Sequence, residues 1–207
     1  MKKCILFCAG DCSTLLQPPD TADLVIAADG GLVHTRHLGI TPHIILGDFD
    51  SLGYIPDSAE VHPVEKDDTD SMLAIKKGLR LGCSRFDIYG GLDGDRVDHT
   101  VANFQALVYL THHGARGYLI GLRQIATVIT NGTLTLPAHF SGHFSVFCMG
   151  ADARGVTIRG CQYELDDAAL SAGFPLGISN RFLQREVTVS VREGSLLLIW
   201  DRENAIP

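Results

Sequence analysis

Asp48 and Asp50 carry the sharpest chemical signal in the chain. They stand in Gly47-Asp48-Phe49-Asp50-Ser51, directly after the apolar run Ile44-Ile45-Leu46. Aliphatic residues ending in glycine and two carboxylates read as a strand that delivers its C-terminal end into a polar crevice. In open α/β sheets that end is where ligands bind. If the segment stays extended, period-two alternation points Asp48 and Asp50 the same way. Two convergent carboxylates suit a hard cation such as Mg²⁺, which takes oxygen ligands and brings substrate phosphates with it. An isolated Asp-x-Asp is more often a solvated turn, so the surrounding sequence has to decide.

Other segments add to the pair. In Ala27-Ala28-Asp29-Gly30-Gly31 a strand runs into a carboxylate and two glycines. Glycine there permits positive φ and close backbone approach, and the helix that follows offers its N-terminus to an anion. Lys66-Asp67-Asp68-Thr69-Asp70 opens a helix, with Thr69 or Asp70 as its cap. Its lysine can also neutralise a transferring phosphoryl group while a nearby aspartate helps to hold a metal. Gly90-Gly91-Leu92-Asp93-Gly94-Asp95-Arg96-Val97-Asp98-His99 holds one cation, Arg96, whose planar fork matches phosphate oxygens. Asp98 either caps the next helix or completes the carboxylate cluster.

The elements that must position these residues follow from the apolar pattern. Strands are expected at Cys4–Cys8, Leu24–Ala28, Ile44–Leu46, 61–64, Phe86–Tyr89 and Tyr118–Ile120. Helices are expected at Leu32–Leu38, from 69 or 70 to Gly82, and from near Asp98 to Leu110. Alternation of this kind signals a mostly parallel α/β sheet. Beyond about residue 121 the chain becomes β-rich. Runs at Gln124–Thr130, Thr133–Leu136, His143–Cys148, Val156–Ile158, Glu186–Val191 and Ser195–Trp200 predict a sandwich or flattened barrel. Asn131-Gly132 predicts a type I′ hairpin between the first two of these. Arg192-Glu193-Gly194 predicts a turn between the last two, and 166–171 a single helical turn.

Composition narrows the function classes. The chain has 207 residues, 45% hydrophobic and 20% charged, with a net charge of −7. No broad basic face is expected, so a nucleic-acid partner gains no support. No run approaches the roughly 18 apolar residues of a membrane span. The opening Met1–Cys8 is too short for a secretory leader and reads as the first strand. Six cysteines without a C-x-x-C pair read as reduced thiols of a cytoplasmic protein. Nine histidines without H-E-x-x-H give no zinc site. Neither G-x-G-x-x-G nor a P-loop occurs, which leaves a dinucleotide oxidoreductase or a Walker-type ATPase unsupported.

Taken in order, Asp29-Gly30-Gly31, Gly47-Asp48-Phe49-Asp50-Ser51, Lys66-Asp67-x-Thr69-Asp70, Gly90-Gly91 with Arg96-x-Asp98-His99, and a later Ser179-Asn180 resemble the thiamine pyrophosphokinase family. The resemblance spans residues 4 to 200. It implies an α/β nucleotide-binding domain (1–121) with a Rossmann-like sheet and a thiamine-binding β-sandwich (122–207). It implies a homodimer with active sites at the subunit interface, transferring pyrophosphoryl from ATP to the hydroxyl of thiamine with release of AMP. By this likeness Asp48, Asp50 and Asp70 hold Mg²⁺, and Asp98 lies close to the reacting groups. Asp29, Gly30, Gly31, Lys66, Thr69, Gly90, Gly91, Arg96 and His99 serve ATP. Ser179 and Asn180 bind thiamine, and Tyr163 either packs on the vitamin or is a half-buried strand tyrosine. The chain departs from the family pattern in the acidic insertion Asp93/Asp95 and in Arg181, where glutamate is usual.

Two other readings compete. A haloacid-dehalogenase-like phosphatase uses D-x-D as an aspartyl nucleophile, but after its first strand, whereas here the pair follows the third. A non-catalytic nucleotide or vitamin sensor would have little use for so many carboxylates in one place.

Overall fold

The structure, a computed structural model, describes residues 2–12 and 14–207. The first part forms β1 (Lys2–Phe7), β2 (Leu24–Ala28), α1 (Gly31–His37), β3 (Ile44–Gly47), β4 (Glu60–Val61), α2 (Asp70–Arg80), β5 (Cys83–Tyr89), α3 (Val97–His112) and β6 (Arg116–Ile120). Apolar side chains on both faces of β1 and β2 are buried, as parallel strands covered on two sides require. Thr69 caps α2, its Oγ1 accepting the Met72 N–H, and Gly82 at φ 83° follows the helix end. On α3, Leu107 is fully buried, with Phe104 and Val108 half-buried beside it.

The second part is all β: β7 (Gln124–Thr130), β8 (Thr133–Leu136), β9 (His143–Cys148), β10 (Ala153–Arg159), β11 (Leu165–Leu170), β12 (Gly177–Arg181), β13 (Val187–Ser190) and β14 (Ser195–Asp201), then a 3₁₀ turn at Arg202–Asn204. The strands form a ten-stranded mixed sheet, ordered β12-β9-β14-β7-β6-β5-β1-β2-β3-β4, and a separate four-stranded sheet, β11-β10-β13-β8. The parallel run from β6 to β4 is the expected α/β sheet. Antiparallel pairing of β6 with β7 (Leu119 opposite Ala126) carries it without a break into the sandwich. One apolar core accordingly joins Ile5, Phe7 and Tyr118 to Phe144, Val156 and Trp200. The second core lies under α2 and α3.

Several local expectations change. Asn131-Gly132 does not close a hairpin, because β7 and β8 belong to different sheets. Asn131 has φ 45° but Gly132 is not left-handed, whereas a type I′ turn needs positive φ at both. The 192–194 turn likewise carries the chain from β13 in one sheet to β14 in the other. The two crossings are bonded together: the Gly194 N–H donates to Asn131 Oδ1 at 2.9 Å and the Asn131 N–H to the Gly194 carbonyl at 3.1 Å. Residues 166–171 are not helical but mostly lie in β11, where pairing with β10 and burial of Leu170 override local preference. The strand expected at 61–64 shrinks to Glu60–Val61, since Pro63 cannot donate to a ladder. Gly177–Arg181 is an additional edge strand.

Candidate active site

The carboxyl ends of β1, β2, β3 and β5 surround a cleft of about 510 Å³. β1 lies between β2 and β5, where the strand order reverses, and ligands of open α/β sheets bind at such a point. Each strand contributes a different chemistry to the wall.

β2 contributes Asp29. The positive φ expected of the glycines falls on Asp29 itself, at 47°. Gly30 and Gly31 serve instead by lacking a side chain: a Cβ on Gly31 would lie 2.1 Å from the Phe7 carbonyl oxygen. Asp29 Oδ2 accepts the Ser51 hydroxyl at 2.7 Å, and its Oδ1 is buried without a partner.

β3 contributes Asp48 and Asp50, which converge by a different route from the expected extended alternation. The strand ends at Gly47, and Phe49 takes φ 59° with its ring almost fully buried. A left-handed phenylalanine costs about 1–3 kcal/mol, which the anchored ring offsets. The resulting turn brings one carboxylate oxygen from each of Asp29, Asp48 and Asp50 within 4.8 Å of one another.

The loop before α2 supplies the counter-charge. Lys66 Nζ lies 2.6 Å from Asp48 Oδ2 and 3.2 Å from Asp70 Oδ1. The second contact is an ion pair only, for Asp70 Oδ1 has no hydrogen bond. The bond from Lys66 holds the Asp48 carboxyl below the usual aspartate value. Burial pushes Asp70 upward, and the pull of Lys66 does not reverse it. Burial also works against the Lys66 ammonium, but its contacts with Asp48 and Asp70 outweigh that and raise its pKa.

β5 leads into the glycine loop. Gly90 has φ 69°, and a Cβ there would lie 2.4 Å from the Cys8 carbonyl oxygen. The Gly10 N–H donates to the Gly90 carbonyl at 3.0 Å, tying this loop to the end of β1. Buried Asn103 on α3 donates to the Gly91 carbonyl at 2.8 Å and accepts the Ser71 hydroxyl at 3.0 Å. Ser71 in turn lies 3.0 Å from the Thr69 hydroxyl. This chain of bonds joins the glycine loop to the start of α2.

Arg96 is exposed and bonded to Asp98 by Nε (2.9 Å) and Nη2 (2.6 Å). The pair holds the Asp98 carboxyl down at about 2. Asp98 sits in the first turn of α3 and makes no cap bond.

Asp29, Asp48, Asp50, Thr69, Asp70, Gly90, Gly91, Arg96 and His99 all line the one cleft, and Lys66 braces it from behind. Ser179, Asn180 and Tyr163 lie elsewhere, at the far edge strand β12 and beside it. Buried Asn180 is internally satisfied: Nδ2 donates to the Tyr163 carbonyl (2.7 Å), and Oδ1 accepts from the Tyr163 (3.0 Å) and Arg181 (2.8 Å) N–H groups. Ser179 at φ 58° and Tyr163 are both exposed. The sequence reading overlooked Gly10, Ser71 and Asn103, and gave Ser51 no role of its own beside the aspartates. Asn103 had a signal, since it is a polar amide in helical register with Ala106, Leu107 and Leu110 on an otherwise apolar stripe.

Residues 17–119 match the family model "Thiamin pyrophosphokinase, catalytic domain", and residues 133–196 match "Thiamin pyrophosphokinase, vitamin B1 binding domain". The chain belongs to the thiamine pyrophosphokinase family. A thiamine pyrophosphokinase of Bacillus subtilis is 27% identical over 189 residues, 87% of this chain and 88% of that protein. A crystal structure of the Bacillus subtilis enzyme superimposes with a TM-score of 0.82 at 26% identity, covering 96% of this chain and 98% of that one. The fold extends to a fungal member, the thiamin pyrophosphokinase of Candida albicans, at a TM-score of 0.77 and 13% identity over 97% of this chain and 88% of that one.

Proposed function

We propose that this chain transfers the pyrophosphoryl group of ATP to the primary hydroxyl of thiamine, giving thiamine diphosphate and AMP. The observation that carries the reading is the convergence of Asp29, Asp48 and Asp50, braced by Lys66, at the strand ends of the cleft. Such transfers depend on positioning and charge stabilisation more than on covalent work by the protein.

The donor set fits Mg²⁺. It is all carboxylate oxygen, as a hard cation prefers, and Asp29 Oδ1 and Asp70 Oδ1 are buried without hydrogen-bond partners. Asp48 and Asp50 with Asp29 would hold the ion, and Asp70, fixed by Lys66, would face it. When bound, the ion supplies positive charge to the polyphosphate. The protein's own groups do the rest. Gly90 and Gly91 let the triphosphate approach the backbone, with Thr69 and His99 on the same wall and Arg96 at the rim. The hydroxyl needs only a carboxylate to take its proton late in attack at the β-phosphorus. Asp50, an exposed carboxylate on the cleft wall, is our assignment for that role, with Asp98, exposed at the start of α3 and bonded to Arg96, as its alternative.

The division of labour assigns ATP to residues 1–121 and thiamine to 122–207, with Ser179 and Tyr163 as the exposed groups of the vitamin site and Asn180 shaping it by holding the 161–163 segment. Within one chain, β12 lies eight strand positions from β3. At normal strand spacing that is roughly 40 Å, so the two sites meet only if a second copy supplies one of them. Tyr163, Phe174, Leu176 and Ile178 expose apolar surface around that edge, which suits a homodimer. No helix among the described residues is long and apolar enough to cross a membrane. All six cysteines are unpaired, the state a reducing cytoplasm maintains, and we place the reaction there.

Incubation with ATP, thiamine and Mg²⁺ tests the reading. AMP and thiamine diphosphate should form in equal amounts, and omission of thiamine or of the metal should abolish both. Tight ATP binding with no AMP release would refute it.

A further inference from the structure

Asp93 belongs to the acidic insertion in the glycine loop, yet it does not join the carboxylate triad. It lines the cleft but turns one oxygen away: Oδ2 accepts the backbone N–H of Leu122 at 2.5 Å. Its backbone carbonyl accepts the Asp11 N–H at 3.1 Å. The fit on the Leu122 side is close, for a Cβ on Gly121 would lie 2.3 Å from Asp93 Oδ2. Gly121 and Leu122 form the turn where parallel β6 gives way to antiparallel β7. The same turn is held from its other side by the C-terminal 3₁₀ segment. Arg202 Nη1 donates to the Gly121 carbonyl at 2.7 Å, and Nη2 donates to the Thr14 carbonyl at 2.5 Å.

A loop containing Gly90, Gly91 and Gly94 has much backbone freedom to lose when it closes on a ligand. A carboxylate bonded to a backbone N–H is a charge-assisted tether, stronger than a neutral bond. We propose that Asp93 is a positioning residue, holding the glycine loop in its phosphate-facing form by anchoring it to the 121–122 turn that Arg202 clamps. On this view the acidic insertion replaces ordering by the ligand with ordering by the fold, and the gain falls on nucleotide binding. Asp95, exposed in the same loop, makes no such tether among the described residues. The proposal rests on the reading of the cleft as an ATP site.

The test compares Asp93→Ala, which removes the acceptor, with Asp93→Asn, which keeps an oxygen for Leu122. Asp93→Ala should raise KM for ATP about tenfold, the loss of roughly one charge-assisted bond. KM for thiamine and the Mg²⁺ requirement should not move, and the Leu122 amide should exchange with solvent faster. Asp93→Asn should recover most of the ATP affinity. An unchanged ATP KM in Asp93→Ala would overturn the proposal. So would an Asp93→Asn variant as impaired as Asp93→Ala with a raised Mg²⁺ requirement, because the carboxylate would then be acting on the metal. If the wild-type chain releases no AMP, the reaction reading falls by itself. Exchange at Leu122 then decides the tether, with unchanged exchange in Asp93→Ala refuting it.

Discussion

Lys66 Nζ lies 2.6 Å from Asp48 Oδ2, and both side chains are largely shielded from solvent. The contact places one fixed cation against a group of carboxylates that would otherwise repel one another. At such separations, and away from bulk water, like charges cost several kcal/mol at a moderate effective dielectric. Lys66 therefore has a structural role before any substrate arrives, in addition to a role toward phosphate.

Lys66→Met keeps the aliphatic stem and removes the charge. It should lower stability by about 2 kcal/mol in divalent-free buffer, since a shielded carboxylate loses its partner. Millimolar Mg²⁺ should restore much of the loss, because a ligand that binds the folded state stabilises it. Thermal melts with and without Mg²⁺ check this. If Mg²⁺ brings no recovery, the Asp29, Asp48 and Asp50 triad is not a cation site.

Asp70→Asn separates stability from function. Burial raises the Asp70 pKa despite Lys66, so the ionised form is the disfavoured one in the folded chain. A raised carboxyl pKa means that protonation on going to lower pH favours the folded state, and asparagine imitates the protonated group. The variant should melt at or above the wild-type temperature without divalent cations, while AMP formation falls by orders of magnitude. A clear drop in melting temperature would show that the Lys66 ion pair outweighs burial.

The site was more legible than its geometry. Aspartates and glycines at strand ends can be read one segment at a time, because an apolar run followed by Gly and Asp is a local pattern. The same pattern misassigned the means of convergence at Asp48 and Asp50. A buried Phe49 with positive φ is decided by the pocket its ring enters, and no local rule signals it. Asn131-Gly132 failed for a related reason. The dipeptide does mark a sharp turn, but which sheets its flanking strands join depends on partners some 60 residues away, at Ser190 and Ser195. Asn180 looked like a ligand group by motif, whereas its amide is spent on the 161–163 segment.

Asn103→Leu tests the brace between the two cleft loops. Leucine fits the volume but strands the buried Gly91 carbonyl and leaves the part-buried Ser71 hydroxyl only its contact with Thr69. Stability should fall by about 1–3 kcal/mol, the cost of one buried polar group left without a partner. In chain that remains folded, KM for ATP should rise more than KM for thiamine, because the glycine loop and the start of α2 lose their common tie. Equal effects on both substrates would make Asn103 a general core residue.

The roughly 40 Å between β12 and β3 gives the last prediction its form. If the vitamin site of one subunit completes the nucleotide site of the other, two inactive variants should rescue one another. Asp48→Asn disables the acidic side, and Ser179→Tyr fills the vitamin side at an exposed position. Each alone should be nearly inactive. In a mixed dimer the unmutated Asp48 of one subunit faces the unmutated Ser179 of the other, so one of the two sites is whole. Random pairing of the co-expressed chains should then give roughly a quarter of wild-type turnover, as the symmetry of an isologous dimer dictates. Turnover no higher than in either variant alone, with dimers present by sedimentation, would mean that Asp48 and Ser179 do not meet across a subunit boundary.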